Sequence, residues 1–170
     1  MKIKLRYFIL SFVLGIFLLG QPIFLKAVCK DGEKGGASAE ALSDALFQAL
    51  KQNNFELLQA FVPSSEEITY LIKTATAKNK PYFESLNVQK INTALQNGFN
   101  KIIRKGIVNE INWNEVALVD YKTRSCNIEL IGCNVTFTMQ DQNDKSIVVS
   151  YDAVKVKDRW FLFQNLGLGN

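Results

Sequence analysis

The sequence predicts an α+β domain, in which N-terminal helices pack on an antiparallel sheet of about four strands. Two observations lead to this prediction. Apolar residues recur with a period near 3.6 before Gly106 and with a period near 2 after it. All the helical segments therefore precede all the strands, an order typical of domains whose helices cover one face of an antiparallel sheet.

The first two helices are predicted from caps and breaks. Ser38 is a good N-cap for a helix that runs to about Gln52. The polar pair Asn53-Asn54 ends that helix, and a short helix over residues 55–62 follows before Pro63 stops it. The first helix has an apolar stripe at spacings of three and four, formed by Leu42, Ala45, Leu46, Ala49 and Leu50.

Two further helices are predicted before the strands. Ser64 followed by Glu67 is a capping box, and it predicts a helix that continues to about Ala75. Pro81 suits the first turn of a helix, and the stripe after it predicts one continuous helix to about Lys105. Gly106 is expected to end that helix.

Four strands are predicted after Gly106, over residues 115–121, 133–140, 147–156 and 160–164. Residues 142–145 and 157–159 are the predicted hairpin turns. Ile128 and Leu130 do not share the alternation that begins at Cys133, so we expect a bulge or bend near Gly132.

The N-terminus predicts export. Residues 1–27 combine a cationic start, an apolar run over residues 7–20 and a small residue, Ala27, suited to cleavage. The expected protein is periplasmic or extracellular, with a flexible tether over residues 28–37 and one domain over residues 38–170. Two alternatives stay open, which are retention of residues 7–25 as a membrane anchor and lipidation of Cys29.

Composition excludes several classes of function. The chain has 20 basic and 16 acidic residues and no His. The signal segment contains four of the basic residues and no acidic one, so the remainder has a net charge of zero. This balance argues against nucleic-acid binding. The absence of His excludes a His base and Ser-His or Cys-His triads. It also leaves little to bind a metal, and no motif indicates a cofactor.

Cys126 and Cys133 are the predicted disulfide pair in an oxidising compartment. One straight strand would separate them by roughly 23 Å, at about 3.3 Å per residue, which is too far for a bridge. A disulfide therefore requires a turn between them, and two buried, unbridged thiols are the alternative.

Three stretches resemble the nuclear transport factor two-like, or cystatin-like, superfamily. They are the apolar helix and polar pair of residues 45–58, the hairpin of residues 133–156, and the closing turn and strand of residues 154–162. The resemblance implies a curved sheet and a cone-shaped cavity between sheet and helices. Arg159 departs from the Gly usual in the closing turn, so we expect a longer turn here.

The implied cone suggests candidate site residues. Asp120 and Asp152 are possible bases because their strand parity places them among apolar neighbours, where burial raises the pKa of a carboxyl. Solvated or Lys-paired acids are the alternative. Aromatic residues could line an apolar pocket or simply pack in the core; the pocket candidates are Tyr70, Tyr82, Trp113 and Tyr121.

The expected function is an exported, non-catalytic domain that binds a small apolar ligand or a protein partner, with a homodimer as one form of partner. One alternative is an isomerase-like or hydratase-like enzyme with Asp120 or Asp152 as its base. The other is a membrane-tethered accessory domain. An enclosed cavity with one of these carboxylates inside it would favour the enzyme, whereas a filled interior would argue against both the enzyme and the small-ligand binder.

Overall fold

The computed structural model describes residues 34–127 and 132–169, and it confirms the α+β class. Helices precede a four-stranded antiparallel sheet of order β1-β2-β3-β4, which does not close into a barrel. The helices are α1 (Ala39–Lys51), a 3₁₀ helix (Phe55–Phe61), α2 (Ser65–Thr74), α3 (Lys80–Glu84) and α4 (Val88–Val108). The strands are β1 (Ala117–Asn127), β2 (Gly132–Gln140), β3 (Ser146–Val156) and β4 (Arg159–Leu168).

Local caps start the first helices where the sequence places them. The Ser38 side chain accepts a hydrogen bond from the Ala41 amide at the start of α1. Ser64 and Glu67 form the predicted capping box of α2. Each cap satisfies amides that a helix start would otherwise leave unpaired.

The predicted long helix after Pro81 is wrong in two respects. It is divided into α3 and α4, because the Asn87 side chain accepts a hydrogen bond from the Lys90 amide and starts a new helix. Gly106 does not end α4, which continues to Val108. Instead, a Cβ on Gly106 would lie only 2.5 Å from Cζ2 of Trp113. Gly106 therefore makes room for a tryptophan ring.

The strand register differs from the predicted parity in β1. Leu118 pairs with Met139 and Asp120 pairs with Thr138, so a bulge occurs between them. A second irregularity lies between Arg124 and Cys126. The bulges are therefore in β1, whereas the bend expected near Gly132 falls on residues 128–131, outside the described residues.

The space between the helices and the sheet is filled by apolar side chains. Buried residues of β3 alternate with half-buried ones from Ile147 to Ala153, as expected for a strand with one face on the core. The largest side chains of this core are fully buried and come from both layers: Tyr151, Phe99, Phe137, Leu42, Leu46, Leu50, Leu58, Leu71, Ile91, Leu95, Ile102 and Met139. This core occupies the position where the resemblance implies a cone.

Cys133 is disulfide-bonded. Cys126 lies directly opposite it in the antiparallel β1–β2 register, and Asn127 lies opposite Gly132. This register brings the backbones of the two cysteines together, as a bridge requires, and Cys126–Cys133 stays our predicted pairing.

The last residues of the predicted tether are bound to the domain. Gly36 pairs with Trp160 of β4, and the Gly35 amide donates to the Ala60 carbonyl at 2.7 Å. These contacts place Gly35 and Gly36 against the domain, and the flexibility of residues 28–37 stays a prediction. The signal segment, the anchor alternative, Cys29 and residues 28–33 lie outside the described residues. Within the described residues, no helix has both the length and the apolar character needed to cross a membrane.

Candidate functional site

An open cleft of about 940 Å³ lies between α2 and the hairpin that joins β3 to β4. One face of α2 forms one wall, from its N-cap Ser64 to Lys73. Residues 156–159 and Phe161 form the other wall, and Lys34 also lines the cleft. The walls come from segments far apart in sequence, which the fold brings together.

Four cationic side chains line this cleft, namely Lys34, Lys73, Lys157 and Arg159. The Lys157 amine lies 5.9 Å from the centroid of the Tyr70 ring, within the range of a cation–π contact. Lys73 is one helical turn after Tyr70, on the same face of α2. The cleft thus combines one aromatic ring with several positive charges.

Two of the three acidic residues that line the cleft, Glu66 and Glu67, are engaged within it, and the third, Asp158, lies in the hairpin turn. Both the backbone amide and the hydroxyl of Ser64 donate to the Glu67 carboxylate. Burial alone would raise the pKa of Glu67, but these hydrogen bonds, a backbone bond at Glu67 itself and the Lys34 charge together hold the pKa below its ordinary value. Glu66 forms a long ion pair of 4.0 Å with Lys157. By contrast, neither Lys34 nor Lys73 forms an ion pair with any described residue.

Arg159 fixes the hairpin wall of the cleft. Its Nε and Nη2 donate to the carbonyls of Lys34 and Gly35, at 3.1 and 2.6 Å. Val156 pairs with Arg159, so the turn has only two residues, Lys157 and Asp158, rather than the longer turn expected. Lys157 adopts a left-handed backbone conformation with φ of 53°, the kind of geometry that a tight hairpin requires.

The four predicted pocket aromatics are not brought together, and only Tyr70 lines the cleft. Tyr82 packs edge-on against Phe163 and donates to the Gln164 side chain at 2.6 Å. Burial, and then the nearby Asp152 charge, raise the pKa of Tyr82.

Trp113 and Tyr121 lie elsewhere. Trp113 packs on Gly106, and its buried indole N–H has no hydrogen-bond partner among the described residues. Tyr121 lies on β1 and donates to the Asp44 carboxylate at 2.6 Å. Burial and this hydrogen bond raise the pKa of Tyr121 to about 12.

Neither candidate base lines the cleft. The Asp120 side chain is half exposed and lies 3.6 Å from the Lys122 amine, because the β1 bulge removes it from the parity of Leu118. Asp152 lies on a half-buried face of β3 and accepts hydrogen bonds from the side-chain amides of Asn134 and Asn165, at 3.1 and 2.5 Å. Both contacts are those of paired surface acids, the alternative that the sequence left open.

The described residues contain no group of three or more Cys, Asp or Glu side chains arranged to bind a metal. Comparison with known protein families, curated proteins and solved structures finds no match for this chain. The site must therefore be interpreted from its own geometry.

Sequence reasoning identified only one residue of the cleft as a site candidate. The cationic residues were missed because each is an ordinary surface lysine or arginine in its own segment. The available signal was the Lys-Asp-Arg turn of residues 157–159, whose two cations must lie close together in a tight hairpin.

Proposed function

We propose that this chain is an exported, non-catalytic domain that binds a protein partner, and that an acidic segment of the partner occupies the α2–hairpin cleft. The observation that carries this proposal is the group of cations around Tyr70. Lys73 forms no ion pair with any described residue, and Lys34 forms none within 4.0 Å, although its charge acts on Glu67, which is already hydrogen-bonded to Ser64. The cleft therefore offers positive charge to an incoming carboxylate.

The filled core supports a partner rather than a small apolar ligand. An apolar ligand needs a concave space lined by apolar side chains. Phe137 and Tyr151 lie where such a space is expected, and neither is exposed to solvent. The cleft, in contrast, is open and carries charged side chains beside apolar surface, as suits a peptide segment.

An isomerase-like or hydratase-like enzyme has less support. A general base of raised pKa needs a buried, poorly solvated carboxyl within reach of substrate. Asp120 is half exposed and close to Lys122, and Asp152 accepts hydrogen bonds from two side-chain amides, so neither carboxyl lies free inside an enclosed pocket.

Export and family membership are parts of the same proposal. Export rests on the signal-like residues 1–27, and a membrane-tethered accessory domain is the alternative if those residues are retained. The α+β order supports the resemblance to the cystatin-like superfamily at the level of fold class.

The test is an NMR titration of the full chain with a capped hexaglutamate peptide, using capped hexaglutamine as the matched neutral probe. We expect shifts of the amide resonances of Thr69, Tyr70 and Lys157 with the acidic probe only. The apparent affinity should fall as salt rises, because exposed charge pairs are screened within about 10 Å at 0.1 M salt.

The variant Lys73→Ala should weaken this binding several-fold, whereas Lys101→Ala, on the exposed side of α4, should leave it unchanged. Equal shifts with both peptides, or shifts confined to residues away from the cleft, would overturn the proposal. So would equal losses in the two lysine variants, which would indicate only a response to net charge.

A further inference from the structure

One edge of the sheet is open. The strand order places β1 and β4 at the two edges. Part of the β4 edge is covered, since Gly36 pairs with Trp160 there. Within the described ranges, residues 34–127 and 132–169, no strand pairs with the outer edge of β1. A row of backbone donors and acceptors at such an edge is a template for another strand.

Side-chain hydrogen bonds show which backbone groups of β1 face this open edge. The Thr136 hydroxyl of β2 donates to the Lys122 carbonyl at 3.2 Å, so the backbone groups of Lys122 point toward β2. The Tyr121 amide instead donates to the side chain of Asp120 at 2.8 Å. Because successive residues of a strand direct their backbone groups to opposite edges, Tyr121 and Thr123 present theirs outward.

The two charged residues beside Tyr121 are complementary to the same two residues of a second copy. Asp120 precedes it and Lys122 follows it, and their side chains are 50% and 65% exposed. If two β1 strands pair antiparallel with Tyr121 at the centre, Asp120 lies opposite Lys122 of the second copy, and the reverse pair forms by symmetry. This is the self-complementary pattern that a two-fold interface requires.

We propose that two copies of this chain pair antiparallel through the open edge of β1, with the two-fold axis at Tyr121. The centre is then a hydrogen-bonded residue pair, in which the Tyr121 amide exchanges its bond to the Asp120 side chain for the Tyr121 carbonyl of the second copy, and Asp120 exchanges the Lys122 of its own chain for that of the second copy. Val119, which is 57% exposed, adds apolar contact beside Thr123 of the second copy. The bulge between Leu118 and Asp120 ends the regular pairing near Val119, so the paired run is short. The dimer is therefore weak and reversible.

This surface is separate from the α2–hairpin cleft, so the proposed dimer does not depend on partner binding there. It also specifies the contact of a homodimer, which the sequence left open, as the β1 edge rather than the face of the sheet. The face of β2 and β3 plays no part in it.

The test is sedimentation equilibrium of the full chain, expressed with its own N-terminal segment and purified in the form the host produces. Concentrations should extend to about 1 mM, because small interfaces give weak affinities. We expect a monomer–dimer equilibrium. Asp120→Lys and Lys122→Glu should each weaken the dimer about tenfold, because each replaces two opposite-charge pairs with two like-charge pairs.

The double variant Asp120→Lys/Lys122→Glu exchanges the two charges and should restore the dimer. Lys101→Glu makes the same charge change as Lys122→Glu on the exposed side of α4 and should have no effect. Hydrogen exchange gives a local readout, in which the amides of Tyr121 and Thr123 gain protection as concentration rises.

A monomer at every concentration would overturn the proposal. A dimer unaffected by both single charge reversals would also overturn it, as would failure of the charge exchange to restore association.

Discussion

At the scale of the residue, Gly106 has a role that its identity alone does not indicate. A glycine inside a helix is usually unfavourable by about 1 kcal/mol relative to alanine. Here the missing Cβ admits the Trp113 ring, whose nearest atoms would lie 2.5 to 2.7 Å from that Cβ. The cost in helix propensity is therefore offset by packing of the residues between α4 and β1.

We expect Gly106→Ala to destabilise the protein by about 1–3 kcal/mol, the usual cost of overpacking, even though alanine is the better helix former. Urea unfolding followed by circular dichroism measures the change. Asn100→Ala, at an exposed position of the same helix, is the control and should be neutral or slightly stabilising. A gain in stability for Gly106→Ala would show that the ring does not require the space.

At the scale of the element, features fixed by neighbouring residues were predictable. The starts of α1 and α2 follow from Ser38 and from the pair Ser64 and Glu67, because a cap acts on amides two or three residues away. The parity of β1 was not predictable, because the bulge at Val119 is visible only in the pairing with β2. Because of the same bulge, the Asp120 side chain is half exposed and not buried.

The capping box of α2 predicts a pH dependence of stability. The pKa of Glu67 in the folded protein lies below its ordinary value of 4.5. Its contribution is therefore fully present above about pH 5 and is lost as the pH falls through the folded-state pKa. We expect Glu67→Gln to be less stable than the wild type at pH 7 and the difference to shrink below about pH 4.5.

Urea unfolding at several pH values measures this difference. Glu66→Gln is the control, since the Glu66 side chain is 84% exposed and only loosely paired. Ser64→Ala should cost about 1 kcal/mol at pH 7, as is typical for loss of an N-cap. A difference between wild type and Glu67→Gln that does not change with pH would contradict this account of the box.

At the scale of the whole molecule, the candidate site was predictable only in part. Tyr70 was a candidate as an aromatic residue, but Lys73 and Lys157 come from segments whose proximity depends on how α2 packs near the end of β3. No local pattern encodes that contact. The division into helices and sheet was predictable because the change of apolar period at Gly106 is a property of long segments.

A buried polar link joins the helical layer to the sheet. The Tyr151 hydroxyl of β3 donates to the Ala39 carbonyl of α1 at 2.8 Å. A phenol has a single proton, so the Ser43 hydroxyl, also 2.8 Å away, is the donor in the second bond. Burial raises the pKa of Tyr151, which keeps the phenol protonated and able to donate. This link fixes α1 at one position over the sheet.

A double-mutant cycle on Ser43 and Tyr151 tests this link. Tyr151→Phe should cost about 1–3 kcal/mol, because it leaves a buried carbonyl and a buried hydroxyl without their partner. Ser43→Ala should cost about 1 kcal/mol, since Tyr151 keeps its bond to Ala39. In Tyr151→Phe the buried Ser43 hydroxyl has lost its partner, so its removal costs little in that background. The double variant should therefore be more stable than the sum of the single losses implies, with a coupling of at least about 0.5 kcal/mol.

Urea unfolding of the four proteins measures the cycle, and additive losses would show that the two hydroxyls act independently.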